Sequence, residues 1–236
     1  GQHNFKGSKS SFITDPNQLT ISHGSGIENS ITGIGNDIIT GNDLNNIINT
    51  QSGDDVIFPA EGSDIVNSGS GNDTIDLSEN IPEKDTLIIS HLDFGSGLDV
   101  VYGFDQGASG DVLDFGLLIS EETSFLPLVG LNNVPAGIIN NSFLRIYGEN
   151  IESEKGLKMA FEENNVLSAL KISQHSSSVL ISAESQDLGE VQNLFIISAD
   201  NSEIKITQVM RFIGDNLDID LWTAYNLNIF EGHLIA

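Results

Sequence analysis

The 236-residue sequence predicts a mainly all-β protein, in which a short parallel coil of strands precedes a β-rich C-terminal domain with one or two helices. A nine-residue repeat near the start predicts the coil. Short runs of β-branched and aromatic residues, separated by Gly, Asn and Ser, predict the strands of the remainder. Hydrophobic residues make up 39% of the chain, which is enough to form a core.

The composition excludes several classes of protein. With 34 acidic and 9 basic residues, the formal net charge is -25 at pH 7. This charge repels phosphate backbones and anionic lipid headgroups, so we expect no nucleic-acid binding and no membrane insertion. The purely apolar runs, such as Leu194–Ile197, are far too short to span a bilayer. Because cysteine is absent, disulfides, thiolate zinc sites and cysteine nucleophiles are excluded.

The repeat consists of five consecutive nonapeptides from Thr32 to Asp76: TGIGNDIIT, GNDLNNIIN, TQSGDDVIF, PAEGSDIVN and SGSGNDTID. The eighth position is always a β-branched aliphatic residue. The sixth position is Asp in every unit except the second, which has Asn46, and the fourth is Gly except for Leu44 in that same unit. Residues 28–33 look like half of a further unit, with Ile31 expected in the aliphatic role.

Each unit is expected to form a three-residue strand whose central side chain points inward, followed by a six-residue turn. Glycine in the turn permits positive φ, so that successive carbonyl oxygens can point into the same hollow. Two units complete one turn of the coil, and carboxylates on the same side therefore stack. Stacked carboxylates repel one another unless a cation lies between them. Oxygen donors without His or Cys select calcium over zinc or copper, so we expect several calcium ions.

The predicted calcium ligands occupy these turns. They are Gly35, Asp37, Asp43, Asn46, Gly53, Asp54, Asp55, Gly62, Asp64, Gly71 and Asp73. Asp37, Asp55 and Asp73 are expected to form one ladder, and Asn46 with Asp64 the other. Because the second ladder contains Asn46 and the neighbouring Leu44, we expect that side of the coil to bind fewer or weaker ions.

The segments Gly35–Asp43 and Gly71–Ile75 resemble the GGxGxDxUx repeats of the RTX family. This resemblance implies a parallel β-roll filled with calcium, export by the type I secretion machinery, and an extracellular or cell-surface location in a bacterium of Gram-negative type. It would also account for the absence of a secretory signal peptide at the start of the sequence.

A second stretch, from Asp99 to Phe115, resembles the segment that follows the roll in many type I secreted proteins. Its acidic residues allow two interpretations. Asp99, Asp111 and Asp114, together with Asp105, could form a further calcium site that caps the open end of the roll. Alternatively, they are turn and strand-edge carboxylates that face water, and the sequence favours neither interpretation.

We predict three parts: a lead-in with a partial first repeat at residues 1–31, the RTX β-roll at 32–85, and a β-rich capping and secretion-signal domain at 86–236. Strands are predicted at Thr86–Ile89, Asp99–Tyr102, Phe143–Tyr147, Ser178–Ile181, Leu194–Ile197 and Ile204–Thr207. Apolar spacing predicts a helix between Ser153 and Leu170 and a short one at Leu221–Asn226.

Signals of catalysis are poor. The five histidines include no pair at i, i+4, and neither HExxH nor GxSxG occurs, so we expect that this chain is not an enzyme. The acidic stretch Asp215–Asp220 lacks the glycine and the terminal glutamate of an EF-hand, which favours a solvated turn. Trp222 with Tyr225 and Phe230 could stack on a sugar, although packing in a core is the commoner use.

Residues Leu194–Ser198 and Thr207–Leu221 are similar to the C-terminal region of large repetitive surface proteins exported by the type I route. This similarity implies a calcium-dependent folding and secretion module at the C-terminus of an adhesin, whose other parts contact host or biofilm surfaces. One alternative is the RTX tail of a secreted protease, lipase, epimerase or toxin, whose catalytic domain lies outside this chain. Another is a carbohydrate-binding domain with the roll as a spacer.

Overall fold

The structure is a computed structural model, which describes residues 18–20, 26, 28–89, 97–115, 124–125, 129–130, 137–139, 142–162, 167, 170–172, 177–184, 189–200, 203–223 and 226–228. The strands are β1 (Gln18–Thr20), β2 (Asn29–Ile31), β3 (Ile38–Thr40), β4 (Ile47–Asn49), β5 (Val56–Phe58), β6 (Ile65–Asn67), β7 (Thr74–Asp76), β8 (Thr86–Ile88), β9 (Asp99–Tyr102), β10 (Val112–Asp114), β11 (Ser124–Phe125), β12 (Val129–Gly130), β13 (Gly137–Ile139), β14 (Ser142–Tyr147), β15 (Leu170–Ile172), β16 (Ser177–Ala183), β17 (Gly189–Asp200), β18 (Glu203–Leu217) and β19 (Leu227–Asn228). Helix α1 spans Glu154–Phe161, and a 3-10 helix spans Ile219–Leu221. The predicted all-β class is confirmed. Five of the six strands predicted beyond the repeats lie within observed strands, and the sixth, Thr86–Ile89, extends one residue past β8.

The nonapeptides form a parallel roll whose alternate strands belong to two sheets. Strands β3, β5, β7 and β9 neighbour one another in the first sheet, and β2, β4, β6, β8 and β10 in the second. The strands are in register, so Ile39 pairs with Ile57 and Ile48 with Val66. The eighth-position aliphatic residues face the interior between the sheets and are at most 1% exposed. The predicted spacing of two units per turn is therefore confirmed.

The half-unit before the first nonapeptide is built differently from the prediction. Ser30, not Ile31, pairs with Ile48 and is buried, whereas Ile31 is 65% exposed. The reason is register, because Ser30 lies one full turn before Ile48, and the parallel ladder keeps that spacing. Strand β1 also adds to the first sheet, where Leu19 pairs with Ile39.

The ladder of the roll continues past residue 85, where the sequence analysis ended it. Strand β8 pairs in parallel with β6, β9 with β7, and β10 with β8. Leu87, Val101 and Leu113 take over the inward position and are at most 1% exposed. Longer turns break the nine-residue count there. Each strand nevertheless keeps an aspartate two residues before its inward apolar side chain, and this pattern sets the register. The three-part division into domains stays a prediction.

The C-terminal strands extend both sheets of the roll. Strand β18 pairs in parallel with β9, placing Phe212 beside Val101, and it forms a long antiparallel hairpin with β17. On the other sheet, β19 pairs in parallel with β10, with Leu227 beside Leu113. The last turns of the roll therefore do not present open strand edges to water at these positions.

An aromatic cluster joins the roll to the C-terminal strands. The ring of Trp222 stacks on Phe104 at a centroid distance of 5.1 Å, meets Phe212 edge-on at 5.1 Å and lies 6.4 Å from Phe143. Its indole nitrogen donates a hydrogen bond to Oε1 of Gln192. The same apolar cluster contains the inward residues of the roll, so the core is continuous from the first nonapeptide to the C-terminal cap.

The two predicted helices differ in extent from the helices of the structure. Helix α1 begins after Ser153, whose hydroxyl accepts a hydrogen bond from the Gly156 amide, and it ends because Glu162 is extended. Leu170 already belongs to β15, so the prediction of a helix up to that residue is wrong. Of the helix predicted at Leu221–Asn226, Leu221 ends a 3-10 helix that begins at Ile219, and Trp222 is extended. The Asn226 amide donates to the Thr223 carbonyl at 3.1 Å, and residues 224 and 225 lie outside the described residues.

Candidate metal centre

One face of the roll carries a ladder of four aspartates, each hydrogen-bonded to the next turn. The Asp37 amide donates to Oδ1 of Asp55 (2.7 Å), the Asp55 amide to Oδ1 of Asp73 (2.8 Å), and the Asp73 amide to Oδ1 of Asp99 (3.0 Å). Each carboxylate is thus fixed by the backbone of the preceding turn, and only one of its two oxygens is used in this bond.

The opposite face carries a second ladder built in the same way. The Asn46 amide donates to Oδ1 of Asp64 (2.6 Å), the Asp64 amide to Oδ1 of Asp85 (2.8 Å), and the Asp85 amide to Oδ1 of Asp111 (2.8 Å). The Asp105 amide donates to the other Asp111 oxygen at 2.8 Å. This ladder contains three carboxylates beyond Asn46, and one of them, Asp85, was absent from the predicted ligands. The expectation that this face binds fewer or weaker ions was made without Asp85.

The second oxygens of the central aspartates have no protein partner. Oδ2 of Asp55, Asp64 and Asp73 is buried and accepts no hydrogen bond, and each of these residues is 1% exposed. Two hydroxyls lie nearby, Thr50 beside Asp55 and Ser68 beside Asp73. The Thr50 hydroxyl donates instead to the Ser68 carbonyl (2.6 Å), and the Ser68 hydroxyl donates to Oδ2 of Asp99 (3.5 Å). A buried, unsatisfied carboxylate oxygen is costly, and a bound cation removes that cost.

Burial raises the pKa of the ladder carboxylates. The pKa of Asp64 and of Asp85 rises to about 8, that of Asp111 to about 7 and that of Asp73 to about 6, in each case mainly because burial disfavours the charged form. Burial also raises the pKa of Asp55. The charged groups that add to these increases are all acids, so the ladders require protons or metal ions to neutralise them.

The oxygen-only donors fit a hard cation with flexible coordination, which is the chemistry of calcium. Among the described residues, no three His, Cys, Asp or Glu side chains converge on one point. A stacked ladder supplies about one carboxylate per turn, so backbone carbonyls and water would have to complete the coordination. The predicted ligands Asp55, Asp64 and Asp73 fit this role best because they carry the free oxygens.

The turns depend on glycine at the fourth position. Gly53 has φ +132°, and a Cβ built there would lie 2.5 Å from the Gly35 carbonyl oxygen. A Cβ on Gly71 would collide with the Gly53 carbonyl, and one on Gly62 would lie 2.9 Å from the Leu44 carbonyl carbon. Gly53, Gly62 and Gly71 are thus required so that one turn can stack directly on the next, whereas at Gly35 only the positive φ of +125° favours glycine. The role of these glycines as metal ligands stays a prediction.

Other predicted ligands lie at the outer rim of the turns. Asp54 is exposed, and its Oδ1 accepts from the Asn72 amide at 2.8 Å, while its own amide donates to Oδ1 of Asn36 at 3.0 Å. Asp43 is also exposed. Asn36, Asp54 and Asn72 therefore form an outer hydrogen-bonded ladder parallel to the buried one. The role of Asp43 and Asp54 as metal ligands stays a prediction.

The acidic residues after the repeats do not gather in one place. Asp99 ends one ladder and Asp111 ends the other, on opposite faces of the roll, so they do not share a site. Asp114 is the last residue of β10, not a ladder residue, and its carbonyl accepts from the Ile89 amide at 2.7 Å. Asp99 and Asp111 are 6% and 2% exposed, so the interpretation of these two as solvent-facing carboxylates is wrong.

Sequence reasoning missed one ladder residue, Asp85. The turn before it is three residues longer than the turns of the nonapeptide repeats, and the fixed nine-residue count passed over it. The signal was nevertheless present in Asp85–Ile88, because an aspartate two residues before an inward Leu87 repeats the pattern of the other units. The motif, not its period, identifies the ladder positions.

The structure also shows where Trp222 and the acidic stretch Asp215–Asp220 lie. Trp222 is 1% exposed and packs in the core, as the commoner use of tryptophan suggested. Tyr225 and Phe230 lie outside the described residues. The stretch Asp215–Asp220, predicted as a solvated turn, is a turn only in part, because Asp215–Leu217 end strand β18. Oδ1 of Asp218 then accepts from the Asp220 amide at 2.8 Å and caps the 3-10 helix.

No helix in the described part of the chain is both long and apolar enough to cross a membrane.

Comparison with known proteins agrees with this geometry. A family model described as the C-terminal domain of the M10 peptidase serralysin matches residues 13–139, which is more than half of the chain. No curated protein matches the sequence. The matched family comprises the RTX-type, calcium-binding β-rolls of extracellular proteins exported by type I secretion. The stacked aspartate ladders and this match lead to one conclusion: the chain belongs to the serralysin C-terminal domain family.

Proposed function

We propose that this chain is a calcium-dependent folding and type I secretion module at the C-terminus of a large extracellular surface or adhesion protein. The observation that carries the calcium-dependent part is the row of buried, unpartnered carboxylate oxygens on Asp55, Asp64 and Asp73. These oxygens lie in stacked turns whose neighbouring charges are acidic, so the roll is stable only when cations occupy it.

The mechanism is a linkage between metal binding and folding. At the low calcium concentration of the cytosol, the ladder carboxylates repel one another and the roll stays unfolded, so the chain is thin enough to pass a secretion channel. Outside, calcium near 1 mM exceeds dissociation constants of about 0.1 mM, and each ion that binds only the folded state stabilises it by roughly 1 kcal/mol. Several coupled sites add to this stabilisation.

The C-terminal cap supports an order of folding. Strands β18 and β19 pair with β9 and β10, the last strands of the roll, and Trp222 packs against the same core. In stacked repeats, ordered turns grow from a capped end. The C-terminal region would emerge first during type I export and would provide that end.

There are two candidates for the longer protein to which this module belongs. The adhesin candidate rests on the similarity of residues 194–221 to large repetitive surface proteins, which would place biofilm or host-surface contacts in other domains. The enzyme-tail candidate is favoured by the family model, because that model is described after a peptidase. The complete gene decides between them: tandem repeated domains upstream support an adhesin, and a catalytic motif upstream supports an enzyme or toxin.

The proposal also holds that this chain has no catalytic activity of its own. An assay of the purified chain with casein, a lipid ester and a uronate polymer, each in calcium, should show no turnover. Turnover that survives repurification and disappears in a point variant of the chain would overturn this part.

Circular dichroism and thermal melting test the module itself. We expect a large gain in β signal when calcium replaces EGTA, and no such gain with magnesium. A variant with Asn at Asp37, Asp55 and Asp73 should lose most of this gain, because it removes three carboxylates from one ladder. A melting curve that chelation leaves unchanged would contradict the proposed function.

A further inference from the structure

The turn that precedes β8 differs from every other turn of the roll. It places Asp85 21 residues after Asp64, whereas ladder residues are 18 apart within the repeats and 26 apart at Asp73–Asp99 and Asp85–Asp111. Residues 77–84 contain no glycine. The turn folds onto the preceding turn of the same face. Oε1 of Glu61 accepts from the Asn80 amide (3.0 Å) and side chain (2.7 Å), and Oε2 accepts from the Ile81 amide (3.3 Å).

Glu79 lies in this turn and has one engaged oxygen and one free oxygen. Oε2 accepts from the Glu83 amide at 2.7 Å, whereas Oε1 is buried and has no hydrogen-bond partner. Asp64 shows the same arrangement: Oδ1 accepts from the Asn46 amide, and the buried Oδ2 has no partner. The Gly62 amide, two residues before Asp64, lies close enough to favour the charged Glu79 carboxylate without forming a hydrogen bond to Oε1. The two carboxylates therefore belong to one region of the roll.

The surroundings of these two oxygens suit a cation. Asp64 is 1% exposed, and the charges of Glu79 and Glu83 act on it as repulsive neighbours. The charge of Glu79 also reaches Asp85 and Asp111 on the same ladder. Two carboxylates that each keep one buried lone oxygen are stable together only if a positive charge lies between them.

We propose that Glu79 is a calcium ligand that acts together with Asp64 on the second face of the roll. In this turn a side-chain carboxylate takes the place of the glycine carbonyl that the repeat pattern supplies elsewhere. Backbone carbonyls and water complete the coordination, because no three acidic side chains converge among the described residues. This inference rests on the proposed calcium binding and adds a site that the repeat pattern does not contain.

Counting the ions bound by the complete chain tests this site. Equilibrium dialysis against calcium, followed by elemental analysis, gives the number of ions per chain for the unmodified protein and for Glu79→Gln. We expect the variant to bind one ion fewer near 1 mM calcium, or to bind that ion on the order of tenfold more weakly. Glu83→Gln is the matched control, because it removes the same charge from the same turn and keeps the backbone amide that holds Glu79.

The outcomes separate this inference from the proposed function. If the unmodified chain binds no calcium, the proposed function fails. If it binds calcium and Glu79→Gln binds the same number with the same affinity, Glu79 is not a ligand, and the two carboxylates share a proton instead. If Glu79→Gln does not reach the folded β signal, Glu79→Asp decides: weaker binding of one ion supports the site, and unchanged binding refutes it.

Discussion

Replacing Asp73 with asparagine should change the stability of the protein in opposite directions with and without calcium. Asp73 lies between Asp55 and Asp99 in its ladder, so it borders two spaces between turns. Asparagine keeps the oxygen that accepts from the Asp55 amide, and it replaces the buried, unpartnered Oδ2 with an amide group. The substitution therefore removes a metal ligand and a buried charge without changing the shape of the turn.

The expected changes in stability follow from removing the buried charge and from removing the metal ligand. Without calcium, the pKa of Asp73 is about 6, two units above its ordinary value, which corresponds to about 3 kcal/mol for the charged form. Solvent screening in a turn reduces this to about 1–2 kcal/mol, and the variant should be more stable by that amount. With calcium near 1 mM, the loss of two sites should destabilise the variant by about 2 kcal/mol, or about 4–8 °C in Tm.

Circular dichroism of Asp73→Asn at pH 7.5 measures both effects: the remaining β signal in EGTA reports the calcium-free stability, and the Tm in calcium reports the loss of sites. Asp76→Asn is the control, because Asp76 ends the same unit outside the ladder and its Oδ1 accepts from the Ser78 amide at 3.1 Å. The control should melt like the unmodified protein in calcium. If Asp73→Asn retains the full calcium-induced rise in Tm, the assignment of this ladder as a metal site is wrong.

The remaining predictions concern protons, turns and the cap. Because the pKa values of Asp64 and Asp85 rise from 3.8 to about 8 in the metal-free fold, the folded state holds more protons than the unfolded state between about pH 4 and pH 8. Its stability is fully present below about pH 4 and is lost as the pH rises toward 8, so calcium-free melting should show a higher Tm at pH 5 than at pH 8. Ala60 has φ +77°, so Ala60→Gly should raise stability by about 0.5–1 kcal/mol. Gly71→Ala places a Cβ on the carbonyl of the adjacent turn and should cost about 2 kcal/mol or more, measured by thermal melting in calcium. Trp222→Ala should cost about 3–5 kcal/mol and weaken calcium binding, because the indole belongs to the core that the roll shares.

The predictions for pH, for Ala60→Gly and for Trp222→Ala each have a result that would contradict them. Higher stability at pH 8 than at pH 5 without metal would show that the ladder carboxylates are not buried as charges. A loss of stability in Ala60→Gly would show that the left-handed conformation is not strained there. Calcium titration of Trp222→Ala with unchanged affinity would separate the cap from the roll energetically.

Local sequence was sufficient to predict the turns of the roll. The eighth-position aliphatic residues and the sixth-position aspartates identified the inward strand positions and most ladder positions correctly, because each follows from short-range spacing. The same reasoning failed at Ile31, where an aliphatic side chain was preferred over the nine-residue spacing that indicates Ser30. It also failed at Asp85, which the nine-residue count passed over because the turn before it is longer. Register in a parallel ladder depends on the strand it pairs with, which a local count does not contain.

The lengths of the helices could not be predicted for a related reason. Apolar residues continue to Leu167 and Leu170, but Leu167 donates its amide to the Ala160 carbonyl beyond the helix end, and Leu170 joins a strand. A leucine can be buried by a helix or by a strand, so apolar periodicity does not show that Leu167 and Leu170 lie beyond the end of the helix. Tertiary pairing overrides such a weak local preference.

The sequence by itself determined that this acidic, cysteine-free chain folds as a parallel roll with an aspartate at a fixed place in most repeats. It also predicted calcium there, because stacked carboxylates repel one another without a cation. Only the tertiary structure decided which acids belong to the ladders. It added Asp85, assigned Asp99 and Asp111 to opposite faces, and brought Glu79 from a longer turn into the region of Asp64. The physical reason is that a carboxylate becomes a buried, unsatisfied group only through the neighbours that fold around it, and those neighbours come from other turns and from the C-terminal strands.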